Sequence, residues 1–540
     1  MLIGLDFDNT LACYNDVFSL EAKKEGLVSE NWEGSKNDLK LHLDNLQDGQ
    51  TKWQKIQGKV YGPSMQKAIL FPGVARFLLR CKLEGHRVFI ISHKTKYGHF
   101  DETKTLLRDA ALKWMDSQGF FIDNLYGINK KNIFFANTQS EKVAIINSLN
   151  LDVFIDDLDE IFLNHDFPEI KKILFNQSSL NQSNAELYNN WSDIEKASIG
   201  EIANSQLKHL LSIIYGKSID NVEKLKGRGN SRLFKLSFHK KNSILLKDYP
   251  DLSIDLRPRM QTEVNALKLV ESIGKTPKVL AFNKPQNIAF YEFIEGEGIY
   301  NIEDHHINQA LNFIEHLQSF KGKAIWGEAS EACLSERQLV GQISYRFDRL
   351  IQIKNKDLNK FLVSTFKPLL NKTFEYSEKN WPSNNLEKEL PEWKQAFSPS
   401  DFGFHNAILK GSGDLVFFDF EYFGRDDPVK LIADFVWHPG MKLKISQKKD
   451  WLKGAFDIFK SDTQLIKRFS SAWPLYGLRW ALIVLNEFLD DGWRKRTYAD
   501  ESLKHLHKKK LETQLSKAKN ICKKIQTSNM LCPYINFLDN

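Results

Sequence analysis

Asp6 and Asp8 stand two residues apart at the end of the apolar run Leu2–Phe7. At the carboxyl end of a strand in an open parallel sheet, such a pair can converge on one Mg²⁺ and one phosphate. In that chemistry Asp6 is the nucleophile and Asp8 the proton donor. Ser92 closes a second apolar run, VFIIS at 88–92, and can donate a hydrogen bond to a phosphoryl oxygen. Lys142 opens a helical segment and can offset charge on the phosphorane. Asp156 and Asp157 end a third run, VFIDD at 153–157, and can complete a metal site with the first pair. Asp159 and Glu160 are further candidates there; Asp157 is preferred because it directly follows Asp156.

A second constellation lies downstream. Gly227 and Gly229 sit in a turn, LKGRGNS, that can bring backbone N–H groups close to phosphates, although the third glycine of a GxGxxG loop is absent. Lys247 ends the strand pattern SILLK, and Glu263 lies on the following helical segment; such a pair positions nucleotide phosphates in kinases. Asp401 is followed five residues later by Asn406, and the strand DLVFFDF then ends at Asp419. Transfer of a phosphoryl group to a hydroxyl needs a base near the acceptor and oxygen ligands for Mg²⁺, and these three residue types occur in the order the tasks require.

Taken together, the front motifs resemble the haloacid dehalogenase-like phosphohydrolase superfamily over roughly residues 1–200. The resemblance implies an aspartyl-phosphate at Asp6, acid/base work by Asp8, Mg²⁺ held by Asp6 and Asp156, and phosphate contacts from Ser92 and Lys142, with Thr10 completing the motif. The interval of about 11–70 then looks like a cap that restricts the site to small phosphate esters. The back motifs, SDFGFHN at 400–406 and DFE at 419–421 with Asp427, Pro428 and Asp434, are similar to the aminoglycoside phosphotransferase/choline kinase-like family. That resemblance covers about 215–500 and implies ATP, Mg²⁺ at Asn406 and Asp419, Asp401 as base, and Lys247 at the phosphates. YEFIEG at 291–296 resembles the interlobe hinge, which puts Glu292 and Ile294 beside adenine. Pro399 stands where the family usually has His, and Ser400 where it has Gly.

These residues need elements to hold them. In the front half, short apolar runs alternate with helical spacing at 74–83 and 141–149, and further short strands are expected at 133–136 and 173–175. This pattern predicts a doubly wound parallel α/β sheet interrupted by a polar, helical insertion. The Asn-, Ser- and Gln-rich stretch 176–203 reads as a domain exit and linker. Beyond it, alternation at 224–238, 243–247 and 287–293 predicts a small antiparallel lobe with a helix at about 260–273. Helical patterns dominate from 307, broken by a polar stretch at 371–391 and by a strand–turn–strand at 407–420. The domains expected are 1–200 and 215–530, an N-terminal α/β phosphatase fold followed by a two-lobed α+β kinase-like fold.

The chain has 540 residues, more than one hydrophobic core usually organises. Five scattered cysteines without a CxxC pair argue against a disulfide scaffold or a Cys-based zinc site and fit a reducing cytoplasm. No signal-peptide pattern and no long uncharged apolar stretch is evident, so no membrane span is expected. The formal charge of +7 resides in one place: 504–524 carries eight lysines and a single acid, Glu512. A neutral body with a lysine-rich terminal helix makes nucleic acid a poor partner and small phosphorylated metabolites a better one. His93, His405, His505 and His507 read as structural or solvated groups.

The reading is therefore a bifunctional enzyme, a Mg²⁺-dependent phosphatase for a small phosphate ester joined to an ATP-dependent kinase for a sugar or amino alcohol. Surface-polysaccharide precursor synthesis is a setting the resemblance allows. The alternative is a phosphatase carrying a degenerate kinase-like binding module.

Overall fold

The computed structural model describes the chain except residues 31, 33, 99–103, 177–180, 226–230, 240–242, 251–254, 256, 323–324, 500–504 and 536–540. It is a mixed α/β protein whose contacts group into two compact units. Met1–Val222 and Pro285–Asn287 belong to the first, and Glu223–Pro250, Arg257–Lys284 and Ile288–Asn540 build the second.

The first unit is built on a six-stranded parallel sheet. Its order is Ile133–Ala136, Arg87–His93, Leu2–Leu5, Val153–Asp156, Lys171–Phe175 and Glu186–Tyr188. Leu2–Leu5 is central, pairing with Arg87–Ile90 on one side and Val153–Ile155 on the other. Both of its faces are covered, as all-parallel strands require: Ile3 and Leu5 are fully buried on one, and on the other a Cβ at Gly4 would come within 2.5 Å of Leu151 and Phe154. The strand order reverses here, so the carboxyl ends of these three strands border one crevice.

The insertion leaves and rejoins the sheet through an antiparallel stem, Ala12–Cys13 with Ile69–Leu70. Between these, helices Asn15–Lys24, Lys36–Asp44 and Gly49–Tyr61 pack through Phe18 stacked on Trp53. Ser35 and Asp38 form a reciprocal capping box that starts the middle helix.

The stretch expected to be a linker is instead part of this unit. It supplies the sheet's sixth strand and the helix Trp191–Ile199, whose Trp191 is buried and whose Glu195 binds Arg80 at 3.0 Å. Its polar composition reflects capping, with Asn190 accepting from the Asp193 N–H, and an edge position in the sheet.

The second unit starts with a five-stranded sheet in the order Val279–Asn283, Ile288–Glu292, Ser243–Asp248, Arg232–Ser237 and Asn221–Leu225, the first four strands pairing antiparallel. Helix Arg259–Val270 packs on this sheet. The remainder is mainly helical, and it includes the region expected to break at 371, where a helix runs Lys367–Asn380. That helix is half exposed, so polarity marks its solvent face rather than a loop.

In the helical part, Leu465–Ile483 lies against both Pro428–Trp437 and His507–Thr527. Gly477 permits this approach: a Cβ there would come within 2.9 Å of both Trp437 and Ile525. The strand–turn–strand appears as Ala407–Leu409 paired with Leu415–Phe417. None of the five cysteines is in a disulfide. Among the described residues, no helix is long and apolar enough to cross a membrane.

Buried charge ties the helices together. Arg468 grips Asp427 through two hydrogen bonds of 2.8 and 2.9 Å and Asp462 at 2.7 Å. Removing the guanidinium would leave two buried carboxylates short of their partner. Arg468→Met should therefore cost about 3–5 kcal/mol in denaturant unfolding of the second unit. An unchanged midpoint would show that the pair is not holding the fold.

Candidate functional site

Two clusters of side chains bring together most of the residues singled out by spacing. In the first unit, Asp6 leaves the central strand and Asn9 turns the chain at a φ of +60°. The turn is closed by the Leu11 and Ala12 N–H groups donating to Phe7 O, and Trp191 Nε1 donates to Thr10 O at 3.1 Å. Helix Gln139–Ser148, capped by Thr138, aims Lys142 inward. Its Nζ donates to Asp6 Oδ1 and Asp156 Oδ2, each at 2.6 Å. Thr10 Oγ1 lies 3.3 Å from Asp6 Oδ2 and 3.4 Å from Asp157 Oδ1.

Carboxylate oxygens of Asp6, Asp156 and Asp157 all lie within 4.8 Å of one another. Burial pushes the Asp6 carboxyl up to about 7, opposed by Lys142 and reinforced by Asp156 and Asp8. Burial also raises Asp157 well above the usual carboxylate range, helped by Asp6 and Asp156 and opposed by Lys36 and Lys142. Three crowded carboxylates facing one lysine are an all-oxygen donor set with charge to spare, which fits a hard divalent cation.

The Asp8 carboxylate is not part of that oxygen cluster. Its carboxylate accepts from Lys94 Nζ at 2.8 and 3.0 Å and from the Tyr14 hydroxyl at 2.5 Å, with Ser92 Oγ at 3.5 Å. Neither Lys94 nor Tyr14 was expected from the sequence. Lys94 had a signal, because it lies two residues beyond Ser92 and therefore on the same face of the chain. Tyr14, which precedes the first helix of the insertion, had none. Asp159 is engaged elsewhere, accepting from the Gln182 and Ser183 N–H groups. His93 is the structural group expected, bonded to Asn137 O at 2.9 Å.

In the second unit, Lys247 is buried among three acids. Its Nζ lies 2.6 Å from Glu263, 2.5 Å from Asp419 and 3.2 Å from Glu421. Glu263 also accepts from the Tyr249 hydroxyl at 2.6 Å and the Phe420 N–H at 3.2 Å, and Glu421 is held by Arg259. Burial pushes Asp419 up to about 7 against the pull of Lys247, with Glu421 and Glu263 adding repulsion. Its backbone sits at a φ of +69°, a conformation an Asp adopts only when its surroundings impose it. The acidic cluster here is Glu263, Asp419 and Glu421. It again fits a divalent cation.

Asn406 was expected to share that metal with Asp419. Its side-chain N–H donates to Asp401 O at 3.0 Å and faces Asp401 Oδ2 at 3.4 Å, bonds that brace the loop and use the amide N–H rather than its Oδ1. Asp401 receives His405 Nε2 at 3.0 Å, with His438 Nε2 at 3.9 Å. Burial alone would raise this carboxyl, but His405 and His438 hold it well below the usual range. The two imidazole rings stack at 3.7 Å, and burial with the neighbouring His405 lowers His438 to about 3.

Ser400 adopts a φ of +67°, and its hydroxyl accepts from Lys430 at 2.9 Å and donates to Ser330 O at 3.2 Å. In the expected hinge, Ile294 is buried, and Glu292 accepts from the Lys278 N–H at 3.3 Å while its own N–H donates to Lys278 O. Gly227 and Gly229 lie outside the described residues. Just beyond them, Ser231 Oγ is buried and has no partner among the described residues.

No family model matches the chain. A protein of Oceanobacillus iheyensis named "putative nucleotidase" is 23 % identical over 162 residues, 29 % of this chain and 77 % of that one. Among solved structures, choline kinase LicA from Streptococcus pneumoniae is 15 % identical and covers 59 % of this chain and 98 % of its own, with a TM-score of 0.39. An ethanolamine kinase of Plasmodium vivax is 15 % identical over 59 % and 94 %, at 0.37. A thermostable mutant of aminoglycoside phosphotransferase APH(4)-Ia is 13 % identical over 59 % and 98 %, at 0.39.

The carboxylate cluster of the first unit makes its own prediction. Mg²⁺ at ten times its dissociation constant should stabilise that unit by about 1.4 kcal/mol. Asp156→Asn should remove most of this gain in a thermal-shift titration. A full response in the variant would place the cation elsewhere.

Proposed function

We propose that the chain is a bifunctional phosphotransfer enzyme. The first unit is a haloacid dehalogenase-like phosphatase, residues 1–200 with a cap over about 11–70. The second, about 215–530, is an aminoglycoside phosphotransferase/choline kinase-like domain. The observation that carries the first reading is Lys142 bonded at once to Asp6 and Asp156 at the carboxyl ends of adjacent strands.

In the phosphatase, Asp6 attacks the phosphorus of a small ester, the P–O ester bond breaks, and Asp8 delivers a proton to the leaving oxygen. Water, deprotonated by Asp8, then cleaves the aspartyl-phosphate and releases inorganic phosphate. Lys142, Thr10 and Ser92 hold the phosphoryl oxygens, while Lys94 and Tyr14 fix the Asp8 carboxylate. Asp6, Asp156 and Asp157 would hold Mg²⁺, which supplies charge neutralisation of the phosphoryl group when bound.

In the kinase, a hydroxyl acceptor gives its proton to Asp401 as its oxygen bonds to the γ-phosphorus of ATP and ADP leaves. Lys247, oriented by Glu263, binds nucleotide phosphates; Asn406 and Asp419, with Glu263 and Glu421 close to the latter, would supply oxygens for Mg²⁺. The readings separate experimentally. Asp6→Asn should lower hydrolysis of an aryl phosphate at least about 1,000-fold, the cost of losing a nucleophile, while calorimetric binding of Mg·ATP persists. Unchanged hydrolysis would rule out the covalent route, and absent ATP binding would rule out the kinase.

A pH profile tests the base. Asp401 is held anionic by His405, so its protonation should not limit turnover between pH 5 and 8 in the native chain. His405→Gln removes that hydrogen-bond partner, the Asp401 carboxyl rises, and the base becomes protonated at mildly acid pH. ATP turnover in the variant should therefore fall more steeply at pH 5.5 than at pH 8. Parallel profiles would show that His405 does not tune Asp401.

A further inference from the structure

The lysine-rich helix His507–Thr527 presents two of its lysines in a way composition does not reveal. Lys517, Ile521 and Lys524 recur at i, i+4 and i+7, so they share one face. That face lines a cavity of about 240 Å³ in the second unit. Lys448 enters from helix Ile445–Ile458, and its Nζ donates to the Tyr534 hydroxyl at 3.1 Å. Trp437 and Trp473 form an aromatic wall, with Trp437 Nε1 donating to Trp473 O at 3.0 Å. No aspartate or glutamate lines the cavity. Among the described residues, neither Lys517 nor Lys524 forms an ion pair.

Three lysines that line one cavity without a counter-charge repel one another. Burial and the charge of Lys448 accordingly push Lys524 below the ordinary lysine range. A bound anion removes that repulsion. The cavity also has a defined address: His438 lines it, and His438 Nε2 is 3.9 Å from Asp401 Oδ1. Asp401 itself does not line the cavity, so a compound whose hydroxyl meets Asp401 would have to reach the lysines past His438.

We infer that the acceptor phosphorylated at Asp401 bears an anionic group, a phosphate or a carboxylate, held in this cavity by Lys448, Lys517 and Lys524. The inference rests on the kinase reading of the second unit. The transferred group goes to the acceptor's hydroxyl: its proton passes to Asp401, the O–Pγ bond forms, and the bond from Pγ to the β-phosphate oxygen breaks to give ADP. The anionic group is unchanged, so a phosphorylated acceptor leaves as a bisphosphate. A cationic amino alcohol meets repulsion here.

Tryptophan fluorescence of the full chain, titrated with inorganic phosphate and separately with acetate, tests the cavity without relying on turnover. A Lys142→Met background removes the phosphate site of the first unit. The Lys517→Gln/Lys524→Gln variant should weaken phosphate or acetate binding at least about tenfold, and whichever anion responds identifies the group. The pair Lys519→Gln/Lys523→Gln, on the same helix but not lining the cavity, should leave it unchanged.

ADP formation over matched sets of polyols, their phosphates, their acids and amino alcohols should favour the anionic members. The acceptor KM should rise at least about tenfold in Lys517→Gln/Lys524→Gln, with the KM for ATP unchanged. Equal anion binding by the native chain and that variant, or preference for neutral or cationic acceptors, would overturn the inference. Failure to bind Mg·ATP with the phosphate response intact would strike the kinase reading alone, leaving the cavity as an anion site.

Discussion

A lysine ammonium buried among carboxylates is the interaction on which each unit's site depends. Lys142 lies between Asp6 and Asp156, and Lys247 lies among Glu263, Asp419 and Glu421. Desolvating such groups is costly, and attraction recovers the cost only when geometry and hydrogen bonding are nearly complete. Thr10, Tyr249 and the Phe420 N–H supply those further bonds. In both clusters the acids outnumber the lysine, and in both one carboxyl is pushed up to about 7 by burial. The excess negative charge is the common physical basis for expecting a cation at each place. It is also why the surrounding framework must be stiff.

That framework explains what could be read in advance. Residues at strand ends were legible because a parallel sheet buries its strands on both faces and leaves chemistry to their carboxyl ends. Asp6, Ser92 and Asp156 were found by that rule, and Lys142 by its place at a helix start. Lys247 and Glu263 were legible from a strand end followed by a helical pattern.

Residues whose position depends on packing between distant segments were not legible. Tyr14 reaches Asp8 only because the insertion folds back through its antiparallel stem. Glu421 joins Lys247 through a turn at Asp419 whose positive φ leaves no sequence mark. The polar stretch that holds Trp191 was misread because composition reports capping and exposure as readily as it reports a linker. The helix at Lys367–Asn380 was missed for a related reason, its polar face outweighing its buried one.

Charge followed the same logic. Counting placed the whole excess on the terminal helix but could not say which lysines share a face. Helical geometry divides the exposed lysines: Lys517 and Lys524 line a cavity with aromatic walls and no acids, and Lys519 and Lys523 do not. A net charge that reads as a solubility feature thus contains a local anion-binding arrangement.

The most direct test of the account measures two reactions side by side in Lys142→Met and Lys247→Met: phosphate release from an aryl phosphate, and ADP formation from ATP with a mixed set of hydroxyl acceptors. The account predicts that Lys142→Met loses phosphate release while retaining ADP formation, and that Lys247→Met does the reverse. Loss of both reactions in either folded variant, or of neither, would contradict the claim that each unit carries its own phosphotransfer site around its own buried lysine.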